Sequence, residues 1–216
     1  VKKWRGICGD GAALWKGIAG WHASAFVGIF VFKQKTAYGI PLRLVGSERC
    51  IRDSVNNISK ASVISQLLYL NVKDSKKPIH LYISSPGGSV LDGYGIIDTM
   101  NLIEAPVYTY TIGLAASMGA LIFLNGTNRY MLPHSELMLH QPLGGVSGQA
   151  SDIEITANRI IKMKKDINEM IATRCNLALE EVEKFTDRDR YFSATEAIEY
   201  GLADEIISKI EVKKMK

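Results

Sequence analysis

A serine at residue 117 stands where a strand-like run gives way to a helix-like run. Residues 107–112 are rich in β-branched and aromatic side chains, and the apolar run Met118–Leu124 begins directly after the serine. The first N–H groups of a helix have no intrahelical acceptor, so they can stabilise negative charge beside such a hydroxyl. The pattern Ala-x-Ser-x-Gly is related to the sharp turn that presents a nucleophilic serine. Alone the pattern is weak, because small residues ahead of a helix are more often packing or capping residues.

Two further residues would complete an acyl-transfer site with this serine. His140 ends a short strand-like run, and Asp189 lies in a charged run just before Tyr191. A hydroxyl, an imidazole and a carboxylate form a catalytic triad that is defined by their roles and not by their order in the chain. Taken singly, His140 would be interpreted as a satisfied core histidine and Asp189 as a solvated surface charge.

The composition is that of an ordinary globular protein. The chain has 216 residues, 47% of them hydrophobic and 22% charged, which fits one domain. The net charge of +4 comes from scattered basic residues, so no run of Lys and Arg indicates a nucleic-acid partner. Cys8, Cys50 and Cys175 are widely spaced, which is typical of free thiols in a reducing compartment and not of a disulfide framework or a zinc site.

Strand-like and helix-like runs alternate from Val55 onwards, which predicts an α/β domain. Helical spacing begins after Val55, and a long helix is predicted over residues 151–174. The other predicted strands are residues 79–83, 107–112 and the run that ends at His140, and the other predicted helices are residues 89–104, 118–124 and 178–185. Ser193 and Glu196 fit a capping box that opens a last helix, which Gly201 closes.

Two glycine-rich stretches follow predicted strands. In residues 86–88, Pro-Gly-Gly makes a tight loop in which the missing Cβ atoms allow close backbone approach. Residues 143–149 have the composition of a phosphate-binding loop, but no Gly-Lys-Ser/Thr follows, so we reject that interpretation.

Five motifs, in this order, resemble the family of Clp protease proteolytic subunits, ClpP. They are S-S-P-G-G-S at residues 84–89, A-A-S-M-G-A at 115–120, M-L-H-Q-P-L-G-G at 138–145, G-Q-A-S-D-I-E-I at 148–155 and D-R-D-R-Y at 187–191. The likeness covers residues 55–209. It implies an α/β fold of the ClpP and crotonase type: a spiral of ββα units with a protruding handle, made of a strand and a long helix.

The resemblance implies a serine endopeptidase that hydrolyses unfolded proteins and peptides inside an oligomeric chamber. Ser117 would be the nucleophile, His140 the general base and Asp189 the residue that orients the base. The backbone N–H groups of Gly88 and Met118 would form the oxyanion hole.

The handle and the ring contacts are also implied by the resemblance alone. Gly144, Gly145 and Gly148 would belong to an extended handle strand that lines the substrate groove. The helix over residues 151–174 would interlock two rings, although an ordinary core helix fits its periodicity equally well. Arg188 resembles the sensor that links ring contact to the alignment of the triad.

The resemblance further implies the partners of the chain. Tyr82 and Leu102 would line an apolar pocket in which a Clp-type ATPase docks, while ordinary core packing is an equally good interpretation of these residues. Neither a metal nor a cofactor is implied, because ATP is used by the partner unfoldase. We expect homomeric or mixed rings of seven subunits stacked as a double ring, with unfolded polypeptides as substrates and neither nucleic acid nor membrane as a partner. The expected location is the cytoplasm, or the matrix of an organelle in a eukaryote.

The beginning of the chain does not fit this pattern. Residues 1–40 show no core-facing period, and residues 33–40 resemble the translation of a sequencing-library adapter, so we interpret residues 1–40 as lying outside the genuine coding sequence. Residues 41–54 are interpreted as a degraded or adapter-like start, because their charges are too dense for the buried parallel strand of the family. Residues 55–209 form the protease-like domain, and residues 210–216 a basic tail.

Three alternatives stay open at the level of sequence. A catalytically impaired or truncated subunit of the same family is disfavoured by the complete set of Ser117, His140 and Asp189. A crotonase-type acyl-CoA enzyme would share the spiral without needing this triad. An interaction protein that has lost its protease partner is the third.

Overall fold

The computed structural model describes residues 47–209, and within them helices and strands alternate along the chain. The strands are β1 Glu48–Ile51, β2 Ile79–Ser85, β3 Val107–Ala116, β4 Asn128–Met131, β5 Glu136–Leu139, β6 Arg190–Ser193 and β7 Glu205–Ile206. The helices are α1 Asn57–Lys73, α2 Val90–Leu102, α3 Met118–Leu124, α4 Ala150–Cys175, α5 Leu179–Thr186 and α6 Ala194–Glu199. The interpretations of residues 1–40 and of the tail at 210–216 lie outside the described residues.

A mostly parallel sheet forms the centre of the described chain. Its order is β1-β2-β3-β4-β7, with β5 pairing the far end of β3 and β6 running antiparallel to β5. Helices α1 and α2 follow strands β1 and β2 and pack against each other, as right-handed crossovers between parallel strands require. The predicted α/β class is therefore confirmed.

Strand β3 is longer than the sequence predicts, because it serves two partners. Tyr108–Thr111 pair with β4, and Leu114–Ala116 pair with β5. The backbone passes between these two pairings through Gly113, which has a φ of 71°. We predicted that the strand ends at this glycine, but the pairing of its second half with β5 continues the strand to the serine.

Residues 48–51 form a strand, contrary to our expectation. They pair in parallel with β2, from Glu48 opposite His80 to Ile51 opposite Ile83. Among the described residues β1 lies at the edge of the sheet, and only Ile51 is buried while the other three residues are half-buried. The expectation was wrong because an edge strand has a flank open to water, on which charged side chains are tolerated.

The core lies between the sheet and helices α1 to α3. Alternate residues of β2 face it, and all seven residues of α3 are buried. The helix therefore has no solvated face, and it begins with Met118, whose side chain is 1% exposed. A helix enclosed in this way holds its first turn in a fixed position relative to the strand before it.

Helix α4 divides into an exposed first half and a packed second half. Its buried side chains are Ile167, Asn168, Ile171 and Cys175, all in the last nine residues. In the first half Ile153 is 41% exposed and Ile161 is 65% exposed. The core-helix interpretation therefore holds only near the end of α4, and its first half is exposed, as expected for a handle helix. Among residues 47–209, no helix is long and apolar enough to cross a membrane.

Candidate active site

Ser117 occupies a strained turn between β3 and α3. Its backbone φ is 53° and ψ is −121°, a backbone conformation that residues other than glycine rarely adopt. A serine directly before a helix usually caps it with its hydroxyl, but here the side chain makes no capping hydrogen bond. The capping alternative for Ser117 is therefore wrong, and its hydroxyl is available to another partner.

That partner is His140, and the three predicted residues of the triad meet. Ser117 Oγ lies 2.9 Å from His140 Nε2, and His140 Nδ1 lies 3.0 Å from Asp189 Oδ1. A carboxylate can only accept, so Nδ1–H donates to Asp189 and Nε2 is left to accept the Ser117 O–H. In this arrangement the imidazole can take the serine proton while the carboxylate stabilises the positive charge that results.

The register of three strands brings these residues together. The Ser117 N–H donates to Met138 O at 2.8 Å, which continues the parallel pairing of β3 with β5 past the end of the strand. In the antiparallel pair β5–β6, Leu139 lies opposite Arg190. One step further along this register sets His140 opposite Asp189. The triad therefore sits where β3 and β5 end and β6 begins.

Two backbone N–H groups lie beside the serine. The Met118 N–H is the first of helix α3 and has no intrahelical acceptor. Gly88 forms a bridge with Val55 that uses the Gly87 carbonyl and the Ser89 N–H, so the Gly88 N–H stays unpaired among the described residues. Both N–H groups predicted for the oxyanion hole are thus available as donors.

The loop that carries Gly88 touches the serine turn through Gly87. A Cβ at Gly87 would lie 2.6 Å from Ser117 Cβ and 3.1 Å from Met118 N, so only glycine fits. The φ of Gly87 is 98° and that of Gly88 is 147°, both in the region that favours glycine. The close approach predicted from Pro-Gly-Gly is confirmed, and the group approached is the serine turn.

Asp189 is the most exposed member of the triad. Its side chain is 62% exposed, whereas that of His140 is 12% exposed. In the described part of the chain its carboxylate makes only the bond to His140. The orientation of Asp189 consequently depends on the backbone that carries it.

Gln141 holds that backbone in place. Apart from its position directly after His140, nothing about this residue indicated such a contact. Gln141 Nε2 donates to Asp187 O at 2.7 Å. Lys164 approaches the Asp187 carboxylate at 3.7 Å. The segments that carry His140 and Asp189 are therefore joined by two hydrogen bonds, one between His140 and Asp189 and one between Gln141 and Asp187.

The residues predicted for the handle and the ring contact are on the surface. Gly144, Gly145 and Gly148 lie in residues 140–149, which follow β5 and pair with no strand among residues 47–209. A Cβ added at Gly144 would contact the Ile160 side chain of α4, whereas a Cβ added at Gly145 would lie in open space. The side chain of Arg188 is 90% exposed and approaches only Asp187, at 3.8 Å, among the described charges.

Tyr82 and Leu102, predicted for a docking pocket, are not brought together within the described chain. Tyr82 stacks on Tyr110 with ring centroids 4.7 Å apart, and it lines two cavities of about 540 and 330 Å³. Ile112 borders both cavities. Leu102, at the end of α2, is 78% exposed and lines neither of them.

Tyr82 belongs to an aromatic cluster on this side of the sheet. Tyr110 also stacks on Tyr130 at 5.0 Å, and its hydroxyl lies 2.8 Å from His80 Nδ1. Burial lowers the pKa of His80 and raises the pKa of Tyr110, so both groups are neutral near pH 7. The interpretation of Tyr82 as an ordinary core residue is wrong, because it is half-buried beside open cavities.

Comparison with known proteins shows which family the sequence matches. Residues 33–210 match the Clp protease family. The chain is also 49% identical over 168 residues to ATP-dependent Clp protease proteolytic subunit 1 of Bacillus cereus, an alignment that covers 77% of this chain and 84% of the relative. The family match contains all of the residues discussed above.

The contact of Gln141 generates the first prediction. Gln141→Ala should lower the rate at which a fluorophosphonate labels Ser117 by about tenfold, because a looser Asp189 no longer fixes the imidazole. Labelling rates are measured on folded protein, with Gln66→Ala on the exposed face of α1 as the matched control. In an Asp189→Asn background Gln141→Ala should have no further effect. An equal loss in both backgrounds would show that Gln141 does not act through Asp189.

Proposed function

The chain belongs to the Clp protease family and is a serine-type endopeptidase, and we propose that Ser117, His140 and Asp189 carry out its peptide hydrolysis. The observation that carries this proposal is the continuous pair of hydrogen bonds, 2.9 Å from Ser117 Oγ to His140 Nε2 and 3.0 Å from Nδ1 to Asp189 Oδ1. The strained backbone of Ser117 supports it, since strain of this kind is retained where the presentation of a side chain requires it.

In the first half of the reaction Ser117 Oγ attacks the peptide carbonyl. A bond forms from Oγ to the carbonyl carbon while His140 Nε2 takes the hydroxyl proton. The carbonyl oxygen gains negative charge, and the N–H groups of Gly88 and Met118 donate to it. A single donor of this kind contributes about 3–4 kcal/mol to the transition state in comparable sites. The carbon–nitrogen bond then breaks, and His140 returns its proton to the leaving amine.

In the second half water releases the acyl group. His140 takes a proton from the water, whose oxygen bonds to the acyl carbon, and the bond to Ser117 Oγ breaks. The proton then passes from His140 back to Oγ, which restores the resting site. Asp189 keeps one imidazole tautomer throughout. The proposed reaction uses protein groups and water, and no cofactor or metal.

Unfolded polypeptides are the substrates that this site suits best. Residues 140–148 run on from His140 with no backbone hydrogen bond in the described chain, and Gly144, Gly145 and Gly148 add no side-chain bulk to this segment. An extended peptide can pair with such a segment as an added strand. A folded substrate presents no free strand, so an unfoldase must supply the peptide.

We further propose that the active form is an oligomeric chamber of stacked rings. The first half of α4 projects with Ile155 68% exposed and Ile161 65% exposed, and Leu143 is 84% exposed beside it. Apolar surface of this kind is typical of protein interfaces. Arg188 and the exposed Asp189 lie on the same short loop, so a contact made by Arg188 would also shield the triad.

The ATPase partner is proposed to dock on the aromatic surface of Tyr82. The matched relative is named as part of an ATP-dependent protease. The smaller cavity beside Tyr82 and Ile112 is lined mainly by apolar and aromatic side chains, which suits an inserted apolar side chain, and the larger cavity adds the charges of Arg52 and Asp53. Leu102 would complete the pocket from a neighbouring subunit. A cellular location in the cytoplasm, or in an organelle matrix, is compatible with such a partner.

The first test concerns the nucleophile. Ser117→Ala should lower the cleavage of a short fluorogenic peptide at least about 10³-fold and leave the thermal transition unchanged, since the hydroxyl is lost but no core contact is. Ser65→Ala, an exposed serine of α1, is the control and should cleave normally. Peptide mapping should place the fluorophosphonate label on Ser117. A substantial share of activity in folded Ser117→Ala would rule this residue out.

The second test concerns assembly. Arg188→Ala should lose double rings and peptidase activity together, because removing one partner of a desolvated charge pair leaves the other charge unpaired. Sedimentation velocity and peptide cleavage are measured on the same sample, with the exposed Lys184→Ala as the control. Full activity in a confirmed single ring or monomer of Arg188→Ala would contradict the coupling.

The third test concerns the ATPase. Tyr82→Ala should reduce ATP-dependent degradation of a tagged folded substrate by about tenfold or more, because an aromatic anchor in an interface carries much of its binding energy. Cleavage of small peptides should remain. Tyr108→Ala, on the same sheet but outside both cavities, is the control. Equal ATP-dependent degradation by Tyr82→Ala and the unmutated chain would place docking elsewhere.

A further inference from the structure

A buried serine beside the active site has no part in the proposed chemistry. Ser85 is the last residue of β2 and is 2% exposed. Its hydroxyl donates to Asp53 O at 2.7 Å and accepts from the Gly87 N–H at 3.2 Å. One hydroxyl therefore joins two segments that meet at the oxyanion site: residues 53–55 and the glycine loop.

The two segments are also joined by their backbones. The Val55 N–H donates to Gly87 O at 2.8 Å, and the Ser89 N–H donates to Val55 O at 2.8 Å. With the Ser85 hydroxyl, three consecutive peptide groups between Pro86 and Ser89 are each held by one hydrogen bond. No side chain of the loop itself could do this, because two of its residues are glycines.

These bonds fix the direction of the Gly88 N–H. In a planar trans peptide the N–H points opposite to the preceding carbonyl. The Gly87 carbonyl points at Val55, so the Gly88 N–H points away from Val55. A rotation of this one peptide would replace the N–H with a carbonyl oxygen, which would repel a developing oxyanion.

The glycine loop is confined on two sides by close contacts. On one side, a Cβ at Gly88 would lie 2.9 Å from Val55 N. On the other side, a Cβ at Gly87 would lie 2.6 Å from Ser117 Cβ. The loop is therefore enclosed between Val55 and the serine turn, and the freedom that remains is rotation of its peptide groups. The two glycines leave this rotation unusually free.

We propose that Ser85 is a positioning residue for the oxyanion site. Its hydroxyl binds residues 53–55 and the glycine loop together, and so keeps the Gly88 N–H directed to the carbonyl that Ser117 attacks. This inference rests on the proposed function, since it assigns Ser85 to the same hydrolysis. Ser85 is buried and makes no hydrogen bond to the triad, and it acts through Asp53 and Gly87.

Ser85→Ala tests this role, with Ser84→Ala as the matched control. Ser84 is the preceding residue of β2 and faces the opposite side of the sheet. For cleavage of a fluorogenic peptide, Ser85→Ala should lower kcat about tenfold or more and change KM by less than about threefold, because the oxyanion exists only in the transition state. Ser84→Ala should keep both constants.

A second readout separates positioning from a general loosening of the fold. A peptide boronate forms a tetrahedral adduct with the serine and places an oxygen in the oxyanion site. Its affinity for Ser85→Ala should fall by the same factor as kcat/KM. Ser85→Cys, which keeps the shape and a weaker donor, should lie between alanine and serine, and it decides the matter if Ser85→Ala does not fold.

The inference is overturned if folded Ser85→Ala keeps kcat within about twofold or, where Ser85→Ala does not fold, if Ser85→Cys keeps both kcat and the boronate affinity within about twofold. It is also overturned if KM rises at constant kcat, since Ser85 would then serve substrate binding. Failure of the proposed function gives a different result, because the unmutated protein would then not be labelled at Ser117 by a fluorophosphonate.

Discussion

The hydrogen bond from the Ser117 N–H to Met138 O is the contact on which the active site depends. It anchors the strained turn to β5, and β5 also carries His140 at its end and pairs with β6, which begins just after Asp189. One strand thus sets the position of all three residues. A shift of two residues in its pairing would move the imidazole by about 7 Å and separate the triad.

The exposure of Asp189 limits what a single subunit can do. Two opposite charges 4 Å apart attract by about 1 kcal/mol in water and by about 4 kcal/mol near a protein surface of lower dielectric. With its side chain 62% exposed, Asp189 is close to the first case. A partner surface that covers Arg188 and the loop would bring it towards the second. Such a contact would strengthen the stabilisation of the imidazolium, whereas the Met118 N–H already lies at the start of a fully buried helix.

The chemistry and most of the helices were predictable from the sequence because each depends on local signals. The helix Met118–Leu124 and the capping box at Ser193 form as predicted, since both follow from short-range periodicity and hydrogen bonding. The end of β3 and the existence of β1 were predicted wrongly. Both depend on a partner strand, because β3 continues to pair with β5 and β1 pairs with β2 at the edge of the described sheet.

The sequence by itself determined the α/β class and the family, and it predicted that Ser117, His140 and Asp189 meet, because motifs and local periods record residue types. The tertiary structure alone decided how these residues are held. Gln141 reaches Asp187 across 46 residues of sequence, and Ser85 reaches Asp53 across 32. In each of these hydrogen bonds the acceptor is a backbone carbonyl, which every residue has, so no residue type in the sequence marks the partner. They form only when the sheet register brings distant segments within 3 Å.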